Sequence, residues 1–495
     1  MSARLDQMIR RHAVQNPEQL ALGTERGTWT YRKLDHLLDR LAQAFVGWGI
    51  SPGDRIAIVL MNREEFVLTY FACMRAGAIS VPVNPVLSAR ELQLILSDCA
   101  PRIVVSSHPF LEKLEQVEWK EAPLLLNADD PESFAAFIAD GKDGPLQLPA
   151  DVEESTIIYT SGTTGLPKGA LLTHGNLYSN AQAFAEALEM SAQEKTLIVA
   201  PVFHTAAQTC CLNATVYSGG YNYLLERWES SQKTLQTMEQ EKISFFFGPP
   251  TMYTYMLQDP QIKEYDLSLR LAFTGAAPLP VEVFAKWKEL LGFEIVEGYG
   301  LSETSPVVTI NPPFGRKKPG SIGTPIRDVQ VRICYESEQD DADGVGELIV
   351  KGPNVMKEYW NKPEESAKAL REGWLHTGDM ARMDEDGYFY IVDRKKDMIN
   401  RAGFKIYPRE LEEVIYQHPS VLEVAVVGIP DPVRGEEVKA FITLKQDQPA
   451  PTLEELHSFC EGKLASYKFP RMLEVLDQMP KTVSGKILKT SLRGQ

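Results

Sequence analysis

Cysteine is scarce: among 495 residues there are six, with no C-x-x-C pair and no paired histidine cluster beside them. That spacing argues against a disulfide framework and a zinc site and points to a reducing compartment. The adjacent Cys210 and Cys211 are expected as buried packing residues. Positive charge is also short, with 51 Lys and Arg against 67 Asp and Glu and a formal net charge of −16. Such a chain lacks the footprint of a nucleic-acid or anionic-membrane binder, so an anionic substrate must meet a locally positive site. Long apolar runs are missing too. Segments such as RIAIVLMN stop far short of a membrane span, and the opening MSARLDQMIRRHAVQNP holds arginines but no apolar core of signal-peptide length. The expected location is cytoplasmic, with no nucleic-acid partner, no integral membrane segment and a homodimer left open.

What is present is length enough for more than one core, and a repeated alternation of helix-like and strand-like pieces. From Gly27 to about Ile158, TYRKLDHLLDRLAQAFVGWG and EFVLTYFACMRAG read as helices, RIAIVL, VPVNP and RIVVSS as strands. The pattern resumes at TLIVAP, ISFFFGPPTMYTYML and LRLAFTGAAPLPVEVFAKWKELLG. It predicts parallel sheets covered by helices, with ligands at the carboxyl ends of the strands. Between Val329 and Val350, VQVRICYES and GELIVKG suggest a small β-rich subdomain around an acidic turn. From Met398 onward the chain reads as a compact α+β unit, with helices at PRELEEVIYQHP and LEELHSFCEGKL. The fold class is thus α/β, a large N-terminal domain of helix-covered sheets with a β-rich subdomain, followed by a small α+β domain. The boundary is set at 1–394 and 395–495.

One short stretch carries the densest chemical signal. YTSGTTGLPKG, Tyr159 to Gly169, leaves the strand TIIYT through a loop of glycines and hydroxyls. Gly162 and Gly165 let backbone approach a ligand, Ser161, Thr163 and Thr164 donate to phosphoryl oxygens, and Lys168 adds a mobile positive charge. The stretch fails the spacing G-x-x-x-x-G-K-[ST], because Pro167 stands where the second glycine belongs and Gly169 follows the lysine. It is a phosphate loop of another kind.

The string resembles the signature of the adenylate-forming superfamily, and further motifs of that family follow in order. EGYGLSET, Glu297 to Thr304, resembles the segment whose aromatic residue, here Tyr299, lies against adenine and whose acid, here Glu303, holds Mg²⁺. WLHTGD ends in Asp379, at the position that binds the ribose hydroxyls, and IVDRKKDMINRAGFKIYPRELE places Arg394 as the ribose arginine. PKTVSGKILK supplies Lys486 as the adenylation lysine. Each of these alone reads as an ordinary turn acid or solvated charge; their joint order carries the resemblance, which covers nearly the whole chain. It implies an ATP-dependent acid–CoA ligase with ATP, Mg²⁺ and CoA as its cofactor and co-substrates.

The resemblance also distributes roles. Thr160, Ser161, Gly162, Thr163, Thr164, Gly165 and Lys168 hold the nucleotide phosphates, with Thr160 joining Glu303 at the metal. Gly275, Ala276 and Ala277 form the adenine-side turn; Glu297, Gly298, Tyr299, Gly300, Ser302 and Thr304 line the same nucleotide, with Asp379 and Arg394 at its ribose. The C-terminal domain is expected to be mobile about a hinge at Lys396, after which Gly403 lines the pantetheine tunnel. His204 follows Phe203 as in acyl-CoA synthetases, where amino-acid activators carry an aspartate; it is assigned to catalysis and to the acyl pocket. Phe203, Phe247, Gly248, Thr251 and Val307 complete that pocket, which offers no fixed cation for a second carboxylate. The expected substrate is a medium- to long-chain fatty acid. The alternatives are an aryl or phenylpropenoid acid, and a non-catalytic ligand-binding relative.

Overall fold

Residues 4–146, 152–161, 167–335, 344–402, 404–482 and 487–493 are described by the structure, a computed structural model, and strand counts refer to them. The acidic turn near residue 340 lies outside these residues. Two large sheets make up most of the chain. The first has seven strands in the spatial order Glu358–Tyr359, Pro167–Thr173, Glu154–Ser161, Ile79–Pro82, Arg55–Val59, Ile103–Ser106 and Leu124–Asn127. The second has nine, from Thr324–Pro325 through Val307–Ile310, Ile295–Gly300, Leu271–Thr274, Phe245–Phe247, Lys195–Ile198, Tyr221–Leu224 and Leu20–Thr24 to Gly27–Thr30.

The helices form where the sequence places them. Thr30 caps Tyr31–Gly47 by accepting from Lys33 N at 3.3 Å, and Leu34, Leu38, Leu41 and Phe45 bury one stripe of that helix. Glu64–Ala76 is buried along its full length, because it packs against both large sheets. Its two glutamates survive burial by pairing with arginine: Glu64 with Arg26, Glu65 with Arg26 and Arg63. A single apolar core draws on this helix, on His174–Ala187 and on strands of both sheets.

Both sheets are parallel inside, as the alternation predicts, but both edges of the nine-stranded sheet and one edge of the seven-stranded sheet are antiparallel, while Leu124–Asn127 at the other edge pairs parallel. The pairs Glu154–Ser161 with Pro167–Thr173, and Ile295–Gly300 with Val307–Ile310, return without a helical crossover. These edges are where candidate site residues collect. The hairpin Leu20–Thr24/Gly27–Thr30, which the sequence reading passes over, closes the far edge of the nine-stranded sheet. A five-stranded sheet contains Gln330–Cys334, Gly346–Lys351, Trp374–Met383, Leu370–Arg371 and Phe389–Arg394. The smaller C-terminal unit has its own five-stranded sheet around Val421–Asp431 and Gly435–Leu444, with helices Pro408–Tyr416 and Leu453–Cys460 sharing its core.

Asn62 ties the large sheets together. Its side-chain amide donates to the carbonyls of Val199, Ala200 and Leu225 at 3.1–3.2 Å, and its oxygen accepts from Val202 N at 2.8 Å. This bonding sets the path of the segment that leads into Phe203 and His204. Asn62→Leu leaves those buried backbone groups unpaired and is expected to cost about 3 kcal/mol. Urea unfolding of the full chain followed by tryptophan fluorescence measures the loss.

Candidate functional site

The phosphate-loop stretch is the tip of an antiparallel hairpin. Tyr159 faces Gly169, Thr160 faces Lys168, and Ser161 pairs through its backbone with Pro167. Gly162, Thr163, Thr164 and Gly165 lie outside the described residues, as do Gly403 and Lys486. The Thr160 hydroxyl is turned to the Lys168 carbonyl at 3.4 Å. Lys168 has a partner that the sequence reading does not name. Its ammonium is ion-paired with Glu365 and lies 5.4 Å from the centroid of the Tyr359 ring, so it is held by a counter-ion of the protein itself. The reason is local: Tyr359 pairs with Ala170 on the neighbouring strand, and Glu365 begins the helix that follows.

Tyr359 reaches the other proposed phosphate-side group as well. Its hydroxyl donates to Glu303 Oε1 at 2.8 Å, while Met356 N donates to the Glu303 carbonyl at 2.8 Å. A half-buried carboxylate with only one oxygen engaged by Tyr359 fits a Mg²⁺ ligand. Mg²⁺ is commonly held by one or two carboxylates plus substrate phosphates. Among the described residues no group of three or more His, Cys, Asp or Glu side chains could cage a metal alone. Next to Glu303, the Ser302 hydroxyl accepts from Thr205 at 3.0 Å, and Thr304 is fully buried, its carbonyl bonded by Asn354 at 3.0 Å.

Three residues that the resemblance assigns to the adenine and ribose converge. Tyr299, from the nine-stranded sheet, donates to Asp379 Oδ2 at 2.6 Å. Arg394 Nε stands 3.5 Å from Asp379 Oδ1, because Asp379 and Arg394 are cross-strand partners in the five-stranded sheet. Burial and the Asp379 carboxylate push the Tyr299 phenol well above its ordinary pKa, so it stays a donor. The Lys395 N–H donates to the Gly378 carbonyl at 2.9 Å, which fixes the chain just before Lys396.

Small residues shape the floor. A Cβ on Gly300 would fall 1.8 Å from the Pro306 carbonyl oxygen, and one on Gly275 would meet the Gly298 oxygen at 3.0 Å. Ala276 sits at φ +69°, a conformation that costs an L-residue about 1–2 kcal/mol. Ala277 follows it in the same turn. Phe203, Phe247, Gly248 and Val307 are buried, with Thr251 half-buried at the start of Pro250–Met256. His204 is half-buried, its ring 4.9 Å from that of Phe203.

Glu297 is a carboxyl with an unusual ionisation. It is 5% exposed, accepts from Leu279 N at 3.3 Å, and burial raises its pKa to about 7, with Arg409 partly countering. Arg409 belongs to the C-terminal unit, where its N–H donates to Asp393 Oδ2 at 3.0 Å and its guanidinium to the Ile391 carbonyl at 2.9 Å. Sequence reasoning missed Tyr359, Glu365, Asn62 and Arg409. The string EYWNKPEES was the available signal for the first two, but only the pairing with Pro167–Thr173 gives it meaning.

Comparison with known proteins gives concordant matches. Residues 9–360 match the model of the AMP-binding enzyme family, and residues 410–486 that of the AMP-binding enzyme C-terminal domain. The chain is 39% identical over 482 residues to a long-chain-fatty-acid–CoA ligase of Bacillus subtilis, covering 90% of this chain and 86% of the relative. It is 38% identical over 487 residues to a feruloyl-CoA synthase of an Amycolatopsis species, covering 98% and 97%. Among solved structures, ATP-bound MatB from Rhodopseudomonas palustris superposes with a TM-score of 0.91 at 30% identity, over 99% of each chain. The apo form of the same protein gives 0.80, so the arrangement here is nearer the ATP-bound one.

The Glu297 shift has a signed consequence. Its pKa is raised on folding from 4.5 to about 7, so between those values the folded state holds a proton that the unfolded state has lost. Stability therefore falls as pH rises from about 4.5 to about 7, by up to about 3 kcal/mol from this group. Glu297→Gln is expected to flatten that slope. Urea midpoints of both proteins across the interval measure it.

Proposed function

This chain belongs to the AMP-binding enzyme family, and from that premise we propose that it is an ATP-dependent acyl-CoA synthetase acting on medium- to long-chain fatty acids. The observation that carries the reaction is the convergence of Tyr299 and Arg394 on Asp379, with Glu303 four residues beyond Tyr299 along the chain. The substrate reading is supported by the likeness to the Bacillus subtilis ligase and by the apolar character of Phe203, Phe247 and Val307. The near-equal likeness to a feruloyl-CoA synthase keeps an aryl acid as the second reading.

In the first half-reaction a carboxylate oxygen attacks the α-phosphorus of ATP and pyrophosphate leaves. The acid is already ionised near pH 7, so no general base is required. Asp379 accepts from the ribose hydroxyls, Arg394 steadies that carboxylate, and the Tyr299 ring lies against adenine; together they aim the α-phosphorus at the acid. Gly275, Ala276 and Ala277 admit the base by presenting backbone in place of bulk. Mg²⁺, when bound at Glu303 with Thr160 beside it, supplies positive charge to the phosphate oxygens. Lys486 supplies charge at the carboxylate and α-phosphate, and Lys168 with the loop hydroxyls does so for the leaving phosphates.

In the second half-reaction the CoA thiol attacks the acyl carbon and AMP leaves. We assign the division between domains to 394/395 and the hinge to Lys396. Rotation there withdraws Lys486 and brings Gly403 to the thiol's path.

Two substitutions separate the steps. Lys486→Ala is expected to lower pyrophosphate release by about 10²–10³-fold, and Gly403→Leu to leave it nearly unchanged while thioester formation is lost. Stopped-flow pyrophosphate detection and thioester chromatography read the two. Run across fatty acids of increasing length, cinnamates and benzoates, the same assays test the substrate. An aryl acid with a kcat/KM above that of every fatty acid would replace the first reading by the second.

A further inference from the structure

We propose that Glu365 is a resident counter-ion that exchanges with the nucleotide's terminal phosphates for Lys168, and that this exchange eases pyrophosphate release. The proposal rests on the reading of Lys168 as a phosphate-side cation. Lys168 is only 14% exposed, a position where an ammonium needs a nearby negative charge, and Glu365 supplies it. Both are anchored to the same brace. Glu358–Tyr359 pairs with the strand that bears Lys168, Trp360 N donates to the Gly169 carbonyl at 2.7 Å, and Glu365 follows on the helix Pro363–Ala369.

The geometry allows the ammonium to leave without stranding the carboxylate. Glu365 Oε1 is held by Lys368 at 2.9 Å, so a positive neighbour remains when Lys168 turns away. The Tyr359 ring lies under Lys168, offering its π-face to the cation as the flexible stem swings. The same tyrosine keeps Glu303 in place through its hydroxyl, so the charge exchange need not disturb the metal-side carboxylate. An entering triphosphate offers more negative charge than Glu365 and draws Lys168 over. Once the α–β bond is broken, Glu365 competes with free pyrophosphate for the same ammonium and weakens its hold.

Calorimetric titration of the full chain with Mg²⁺–pyrophosphate, and separately with AMP, tests this. Glu365→Gln is expected to tighten pyrophosphate binding roughly fivefold and slow its release, with AMP affinity unchanged. Lys368→Ala, at an exposed position, frees Glu365 to pull harder on Lys168 and is expected to weaken pyrophosphate binding roughly twofold. If Lys168→Ala leaves pyrophosphate affinity unaltered, the phosphate-side role of Lys168 itself fails. If Lys168→Ala weakens pyrophosphate binding but Glu365→Gln leaves it unchanged or weaker, or moves AMP equally, the exchange alone is overturned.

Discussion

Two anions must be brought into contact in a chain that already carries a net charge of −16. A carboxylate and a phosphate oxygen about 4 Å apart repel by about 4 kcal/mol at the dielectric of a protein surface, so the site needs positive charge. In the proposed exchange that charge is held in reserve by a carboxylate of the protein itself: the cation is Lys168, which stands with Glu365. An acidic chain can store a cation this way and release it to an incoming polyanion. The arrangement favours binding that is strong in charge yet reversible, which a ligase that must discard pyrophosphate requires.

The proposed nucleotide site draws its residues from three sheets. Tyr299 comes from the nine-stranded sheet, Asp379 and Arg394 from the five-stranded one, and Lys168 from the strand next to the edge of the seven-stranded one. Buried amides hold the joints: Asn62 between the large sheets, Asn180 on Val307, and Asn354 on Thr304 and Val307. A rigid frame of this kind suits a reaction that proceeds by positioning. The smaller C-terminal unit meets the rest largely through polar side chains, among them the buried Arg409 on Asp393 and Ile391. Tyr416 meets Thr254 at 3.4 Å, Lys481 meets the Tyr255 hydroxyl at 2.5 Å and Lys445 approaches Glu282 at 3.9 Å. Polar contacts of this sort exchange readily with water, in keeping with the proposed rotation about Lys396.

Much of the frame was legible because its signals are local. The helix Tyr31–Gly47 follows from its cap and apolar stripe, and the parallel interior of both sheets from strand and helix alternating along the chain. The antiparallel edges were not legible. A strand's partner lies outside its own sequence, and nothing in LPKGALLT says whether it crosses over or turns back. Lys168 shows the same limit at the level of one side chain. Its residue type and position in YTSGTTGLPKG mark it as a phosphate-side cation, but its partner is nearly two hundred residues away in the segment EYWNKPEES.

The sequence by itself determined the chemistry on offer: the residue types, their order along the chain, and the family those motifs mark. Their identities are covalent facts, and their spacing needs no fold to be read. Tertiary structure alone decided which charges face one another. Coulomb energy and hydrogen bonding depend on distance and burial, and both are set by packing. It is packing that gives Glu297 a proton near neutral pH, sets Tyr299 on Asp379, and places Tyr359 between Lys168 and Glu303.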